Sequence, residues 1–284
     1  MKQNVNVLLI VCDQFRGDAL SFANHPDVKT PYLDSLAADG VFFSHAYSAT
    51  PSCIPARAAL MTGRSQKRHG RVGYLDEVEW RYQHYMAEEF SNSGYQTQCI
   101  GKMHVHPPRL TCGFQNLQLH DGYLGCYRSL NIPHWMHQDV SDDYLQDLRN
   151  VLGEDADINT SGAECNSWVT HPWIYEERLH PTNWVADKSI RFLKTRDRTR
   201  PFFLMSSFVR PHQPLDPPKA YFICIRIKSC AHRLAVTGIR KTEQVRLAEF
   251  QTPYTAAVML LCERKPWPAT MRQSPMSTIS WAAS

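Results

Sequence analysis

Short apolar runs alternate along the first 222 residues with stretches whose apolar positions recur every three or four residues. Val5–Val11 is a run of the length and composition of a buried parallel strand. Thr30-Pro31 then opens a predicted helix with Leu33, Leu36 and Ala37 on one face and Gly40 as its stop. Val41–Tyr47 reads as the next strand. A second helix around Met86–Ser93 stops at Gly94, and the strand Tyr95–Ile100 follows. Further on, Thr182 is the predicted cap of a helix carrying Trp184, Val185, Ile190, Phe192 and Leu193, and Pro201–Phe208 is another buried strand. Residues 107–180 show no clear period and read as an inserted loop region with one short helix near Tyr144–Leu152. Repeated strand–helix–strand order implies an α/β fold, with a largely parallel or mixed sheet flanked by helices. In such sheets ligands gather beyond the C-terminal ends of the strands, so those loops are the ones to inspect.

Composition changes this picture at one place. The chain has 284 residues and a formal charge of +4, but residues 223–284 hold nine Lys/Arg against three acids and no Asp. The remaining 222 residues carry 22 basic and 24 acidic side chains, so the basicity belongs to the tail and argues against a nucleic-acid partner. The break reads either as a domain boundary or as a coding sequence that has left its frame. The expected organisation is a catalytic portion over 1–222 and an atypical basic tail over 223–284. No apolar run approaches the ~18 residues of a membrane-spanning helix, and the opening apolar stretch ends at Cys12-Asp13 without a small-residue cleavage site. Nine cysteines without a close CxxC pair do not read as a disulfide framework. The expectation is a cytoplasmic protein without a membrane partner.

Four strand-end loops carry chemistry. Asp13 closes the first strand, where a carboxylate suits a metal, although a lone aspartate there is more often a solvated loop residue; Gln14 beside it offers a neutral oxygen. In Pro51–Arg64, Pro55 suits the first turn of a helix that Gly63 stops, which places Cys53 at its N-terminus. Unpaired N–H groups there favour an anion and lower a thiol's pKa. Arg57, one turn later, is within reach of Cys53 and suits an oxyanion. In Gly101-Lys102-Met103-His104, alternation on an extended segment puts Lys102 and His104 on one side, and His106 follows without an assigned role. In Arg210-Pro211-His212-Gln213-Pro214 a histidine is held between prolines. A carboxylate, a helix-terminal cysteine, histidines, a lysine and an arginine together suit hydrolysis of an anionic ester.

Cys53-Ile-Pro55-Ala-Arg57-Ala-Ala-Leu-Met-Thr62-Gly63 resembles the Cys-x-Pro-x-Arg-x-x-x-x-Thr-Gly signature of the sulfatases. Five fixed positions at this spacing arise by chance in about 1 in 10⁴ chains of this length. The Asp13 strand end, Thr30–Ala37, Gly101–His104 and Pro211–Pro214 resemble the same family in its order, over about residues 4–222. The resemblance implies an alkaline-phosphatase-like fold and hydrolysis of a small sulfate ester. It implies that a formylglycine-generating enzyme oxidises Cys53 to formylglycine, whose hydrate is the nucleophile. It further implies that Arg57 holds that residue, that Lys102 and His212 bind the sulfate and that His104 assists the hydrate. Asp13, Gln14 and the modified Cys53 would bind a divalent cation, usually Ca²⁺. Asp13-Gln14, where many members have two aspartates, is similar to the choline-sulfatase and phosphonate-monoesterase branch, which keeps phosphonate and phosphoester substrates open. The family's remaining metal ligands include an Asp on a later strand, and residues 223–284 contain no Asp. The resemblance therefore leaves two readings beside a working sulfatase: a truncated fragment without activity, and a binding module built on the basic tail.

Overall fold

The computed structural model describes residues 5–121, 142–158, 167, 169–223 and, for its backbone, 257–263. A five-stranded sheet organises them: β1 (Asn6–Cys12), β2 (Gln96–Gly101), β3 (Asn116–Leu119), β4 (Phe202–Phe208) and β5 (Ala257–Glu263), in the order β3-β2-β4-β1-β5. The first four are mutually parallel, with Val7 beside Phe203 and Gln98 beside Leu204, while β5 pairs antiparallel along β1, Leu9 facing Leu260. The sheet is thus largely parallel with one antiparallel edge.

Helices cover both faces. On one side α2 (Cys53–Thr62) sets Ile54, Ala58 and Met61 against Val7, Leu9 and Val11 of β1, joined by Phe203 and Met205 of β4. On the other, α5 (Asp143–Leu152) and α6 (Pro181–Thr195) bury Tyr144, Leu148, Trp184, Val185 and Phe192 against Leu8, Ile10 and Leu204. The period-2 alternation of a strand produces this: neighbouring side chains of β1 enter opposite layers. α1 (Pro31–Asp39), α3 (Gln66–His69) and α4 (Met86–Asn92) complete the helices named here.

Several expectations need correction. Val41–Tyr47 is not a strand: a turn at Ser44-His45 interrupts it, and Val41, Phe43 and Tyr47 are 78%, 74% and 85% exposed. An apolar run encodes fitness for a pleated surface but not a partner, and β1 is already paired on both edges by β4 and β5. Thr182 does not cap α6. Pro181 takes the first helical position and His180 is the cap, its Nδ1 accepting from Thr182 N at 3.2 Å. Thr30 does precede α1, but its hydroxyl donates to Asp34 Oδ1 at 2.9 Å and makes no bond to the helix backbone. The region 107–180 holds more than one helix, since β3 joins the sheet there; four residues are too few to show a period. The tail contributes β5 at backbone level; its remaining residues from 224 onward lie outside the described ones, as do 122–141, 159–166 and 168.

Candidate active site

The strand-end loops converge. Asp13 continues β1 by one ladder bond, its N–H donating to Phe208 O at 3.0 Å, and is buried. Cys53 is the first residue of α2, and its sulfur lies 3.7 and 3.6 Å from the Asp13 carboxylate oxygens. Gly63, in the left-handed conformation at φ 64°, ends that helix with its N–H on Ala59 O, as the sequence predicts. Lys102, just past β2, is fully buried; its ammonium donates to Asp13 Oδ2 and lies 3.4 Å from Cys53 Sγ. Arg57 is buried one turn into α2 and donates to Lys102 O at 2.6 Å and to Ser207 Oγ at 3.1 Å.

Gly101 makes this approach possible. Its φ is +98°, and a Cβ there would lie 1.9 Å from Ser207 O, so no side chain fits between β2 and β4.

His212, just past β4, brings a ring nitrogen within 4.8 Å of the Asp13 and Cys53 ligand atoms. Its Nδ1 is 2.8 Å from Gln213 O; a carbonyl only accepts, so Nδ1 carries a proton and donates it there. Arg210 holds the same loop through a two-pronged contact to buried Asp216, at 2.6 and 2.7 Å. His104 also reaches the site, but not by the predicted alternation: its φ is 56°, so the segment is not extended there. Its Nε2 lies 3.5 Å from Asp76 Oδ1 and 3.5 Å from Tyr74 Oη. Gln14 sits beside Asp13, likewise left-handed at φ 59°. His106 is turned to a structural task, its carbonyl accepting from Trp80 N.

Electrostatics follow from this crowding. Burial raises the Cys53 thiol and the Asp13 charge raises it further, but Lys102 and hydrogen bonds from His104 and His212 prevail and bring it down to about 5. Below that pH the thiol donates to Asp13; above it Lys102 donates to the thiolate. Burial likewise penalises the Asp13 carboxylate, yet Lys102, Arg57 and His212 hold it below the usual carboxylate range. Lys102 stays charged: burial works against the ammonium, and Asp13 and Cys53 more than compensate. Two anions and two fixed cations thus share one pocket beyond the sheet's C-terminal edge.

Asp13, Cys53 and His212 each offer one atom to a metal ion. A hard cation such as Ca²⁺ takes six to eight oxygens, typically including several carboxylates. Asp13, the one carboxylate of that group, is engaged by Lys102, and the other two donors are sulfur and nitrogen. With Cys53 unmodified, the described residues therefore do not fit a resident Ca²⁺.

The sulfatase family model matches residues 5–222. The chain belongs to the sulfatase family. Among sulfatase relatives, it is 54% identical over 217 residues to an arylsulfatase of Clostridium perfringens, covering 76% of this chain and 45% of that one. It is 36% identical over 210 residues to an ulvan-active sulfatase of Formosa agariphila, covering 74% and 36%. The chain thus spans less than half the length of these sulfatases. A solved phosphonate monoester hydrolase of Agrobacterium radiobacter shares the fold with a TM-score of 0.60 at 28% identity, over 78% of this chain and 44% of that one. The sulfatase signature Cys53–Gly63 coincides with α2 and its cap.

Sequence reasoning missed three contributors, of which Ser207 and Asp121 are buried and Asp76 is half-buried. Ser207 accepts from Arg57, Asp76 faces His104, and Asp121 meets the loop after β2. Ser207 lies inside an apolar run and Asp121 follows a strand too short to recognise. Four cysteines of the described residues (Cys12, Cys53, Cys99 and Cys112) are free. No helix of the described residues is long and apolar enough to cross a membrane.

Proposed function

We propose that this chain carries the nucleophile and anion-binding half of a sulfuric ester hydrolase, with Cys53 as the precursor of the nucleophile. The observation that carries this reading is the buried Lys102 ammonium 3.4 Å from a sulfur at a helix N-terminus. A maturation enzyme would oxidise Cys53 to formylglycine, whose hydrate supplies the attacking hydroxyl. The chain's own residues do the rest. Lys102 and His212 bind the oxygens of a sulfate ester placed against residue 53, Lys102 supplying the positive charge. Arg57 keeps the Lys102 carbonyl, and so the loop, in place. His104, backed by Asp76 and Tyr74, is the group within reach to move a proton at residue 53. The substrate is a small sulfate ester, and the setting in which we place the chain is the cytoplasm.

Because the chain spans less than half of its relatives, turnover by 284 residues is the first thing to measure. The test is hydrolysis of an aryl sulfate by protein co-produced with a formylglycine-generating enzyme, with oxidation of Cys53 verified by mass spectrometry. Cys53→Ala should abolish any turnover, since alanine cannot become an aldehyde; retained turnover would sink the assignment. A second reading, phosphonate monoester hydrolysis, is favoured by the resemblance to the Agrobacterium enzyme. An aryl phosphonate in parallel, turned over faster than the sulfate, would select it.

A further inference from the structure

Asp121 lies two residues beyond β3 and is 5% exposed. Its carboxylate accepts from Met103 N at 3.0 and 3.1 Å and from His104 N at 2.8 Å. Two successive backbone N–H groups, with a left-handed residue at the second, form a concave donor pair that holds an anion. His104 is that residue. The left-handed conformation is unfavourable for a non-glycine residue, so it persists only where neighbouring contacts favour it. Gly101 O, accepting from His120 N at 3.1 Å, ties the start of the same loop to the residue before Asp121. Arg57 grips the loop from the opposite side through Lys102 O. Lys102 and His104 are therefore clamped between a guanidinium on a carbonyl and a carboxylate on two amides.

We propose that Asp121 is a positioning residue: its carboxylate seats the Met103–His104 amides and thereby aims Lys102 and His104 at residue 53. This deepens the reading of the site as an anion-binding one, and it concerns backbone geometry rather than turnover. Two effects of removing the carboxylate have opposite signs. Deleting a negative charge near the site would by itself tighten an anion, whereas loosening the loop would weaken it.

The experiment titrates inorganic sulfate into the purified chain by calorimetry, with Asp121→Ala and Asp121→Asn beside the wild type. Asp121→Ala should weaken sulfate by roughly tenfold or more, the scale of one charge-assisted hydrogen bond. Asp121→Asn keeps one acceptor oxygen and should recover part of the loss. Unchanged or tighter binding in a folded variant overturns the proposal. Should the alanine variant fail to fold, the asparagine variant carries the test by the same criterion. A wild type that does not bind sulfate counts against the functional reading alone. The positioning claim is then read from the imidazole carbon–proton resonance of His104. That signal should move to the position of a solvent-exposed histidine in Asp121→Ala, and an unmoved resonance overturns the claim.

Discussion

Lys102 does the most at the level of single residues. It is a fully buried cation whose two partners, Asp13 and Cys53, are both anions above about pH 5. An opposite charge this close moves a titration by about 1–3 pH units. In unmodified protein the rate of Cys53 alkylation by iodoacetamide should therefore rise through a midpoint near pH 5, followed by peptide mapping. Lys102→Ala should move that midpoint upward by about 1–3 pH units. A midpoint that stays put would mean the ammonium does not face the thiol. Cys12, Cys99 and Cys112 give no background near neutral pH, because burial pushes each of them above the ordinary thiol range. Much of this residue-level picture was legible: Asp13, Cys53, Arg57, Lys102, His104 and His212 were all singled out as strand-end or helix-end groups, and the fold brings them together. Asp121 and Asp76 were not, since nothing in an isolated aspartate tells which backbone amides it will meet.

Among the elements, β1 was legible as a short apolar run, and α2, β2 and β4 because a punctuating residue bounds each: Pro55 and Gly63 for α2, Gly94 before β2, Pro201 before β4. Val41–Tyr47 shows the opposite failure. Its pattern fits a strand, but pairing depends on which edges are open, and that is a property of the whole sheet. β3 failed through brevity, and β5 because an apolar run in an otherwise shifted composition carries no sign of its partner. Gly101 joins the element scale to the site. Gly101→Ala would drive a methyl group into Ser207 O at the β2–β4 junction. Urea unfolding should show a loss of more than about 4 kcal/mol, the range of severe steric or strain mutations, or no folded protein at all. A loss under about 1 kcal/mol would mean that the two strands are free to separate there.

For the molecule as a whole, buried charge makes stability depend on pH. Asp216 loses solvation in the interior, yet Arg210 and His180 hold its carboxyl below the usual carboxylate range, as Lys102 does for Asp13. A lowered native pKa gives stability that is present above the ordinary carboxylate pKa, about 3.9, and is lost as pH falls below it. Asp121 runs the other way, since burial raises it above its ordinary value. Asp216→Asn leaves the Arg210 guanidinium buried without its counter-charge and should cost about 3–5 kcal/mol at pH 7. The difference from wild type should shrink as the pH drops below about 4, read from urea midpoints between pH 3 and 7. A constant difference over that range would mean that the pair contributes nothing through its charge.

The strand order has a consequence for how the protein is made. β4 lies between β1 and β2 although it is synthesised roughly a hundred residues after β2 and almost two hundred after β1. Until it arrives, the first two strands have no shared ladder, and the ends that bear Asp13 and Lys102 have nothing to hold them side by side. Long-range parallel pairing of this kind is slow. During translation the Cys53 segment therefore waits, unshielded by Lys102 and His212, for as long as the ribosome takes to deliver residues 202–212. If Cys53 is matured as proposed, the enzyme that must reach the thiol before the pocket closes has its working interval set by the position of one strand in the chain.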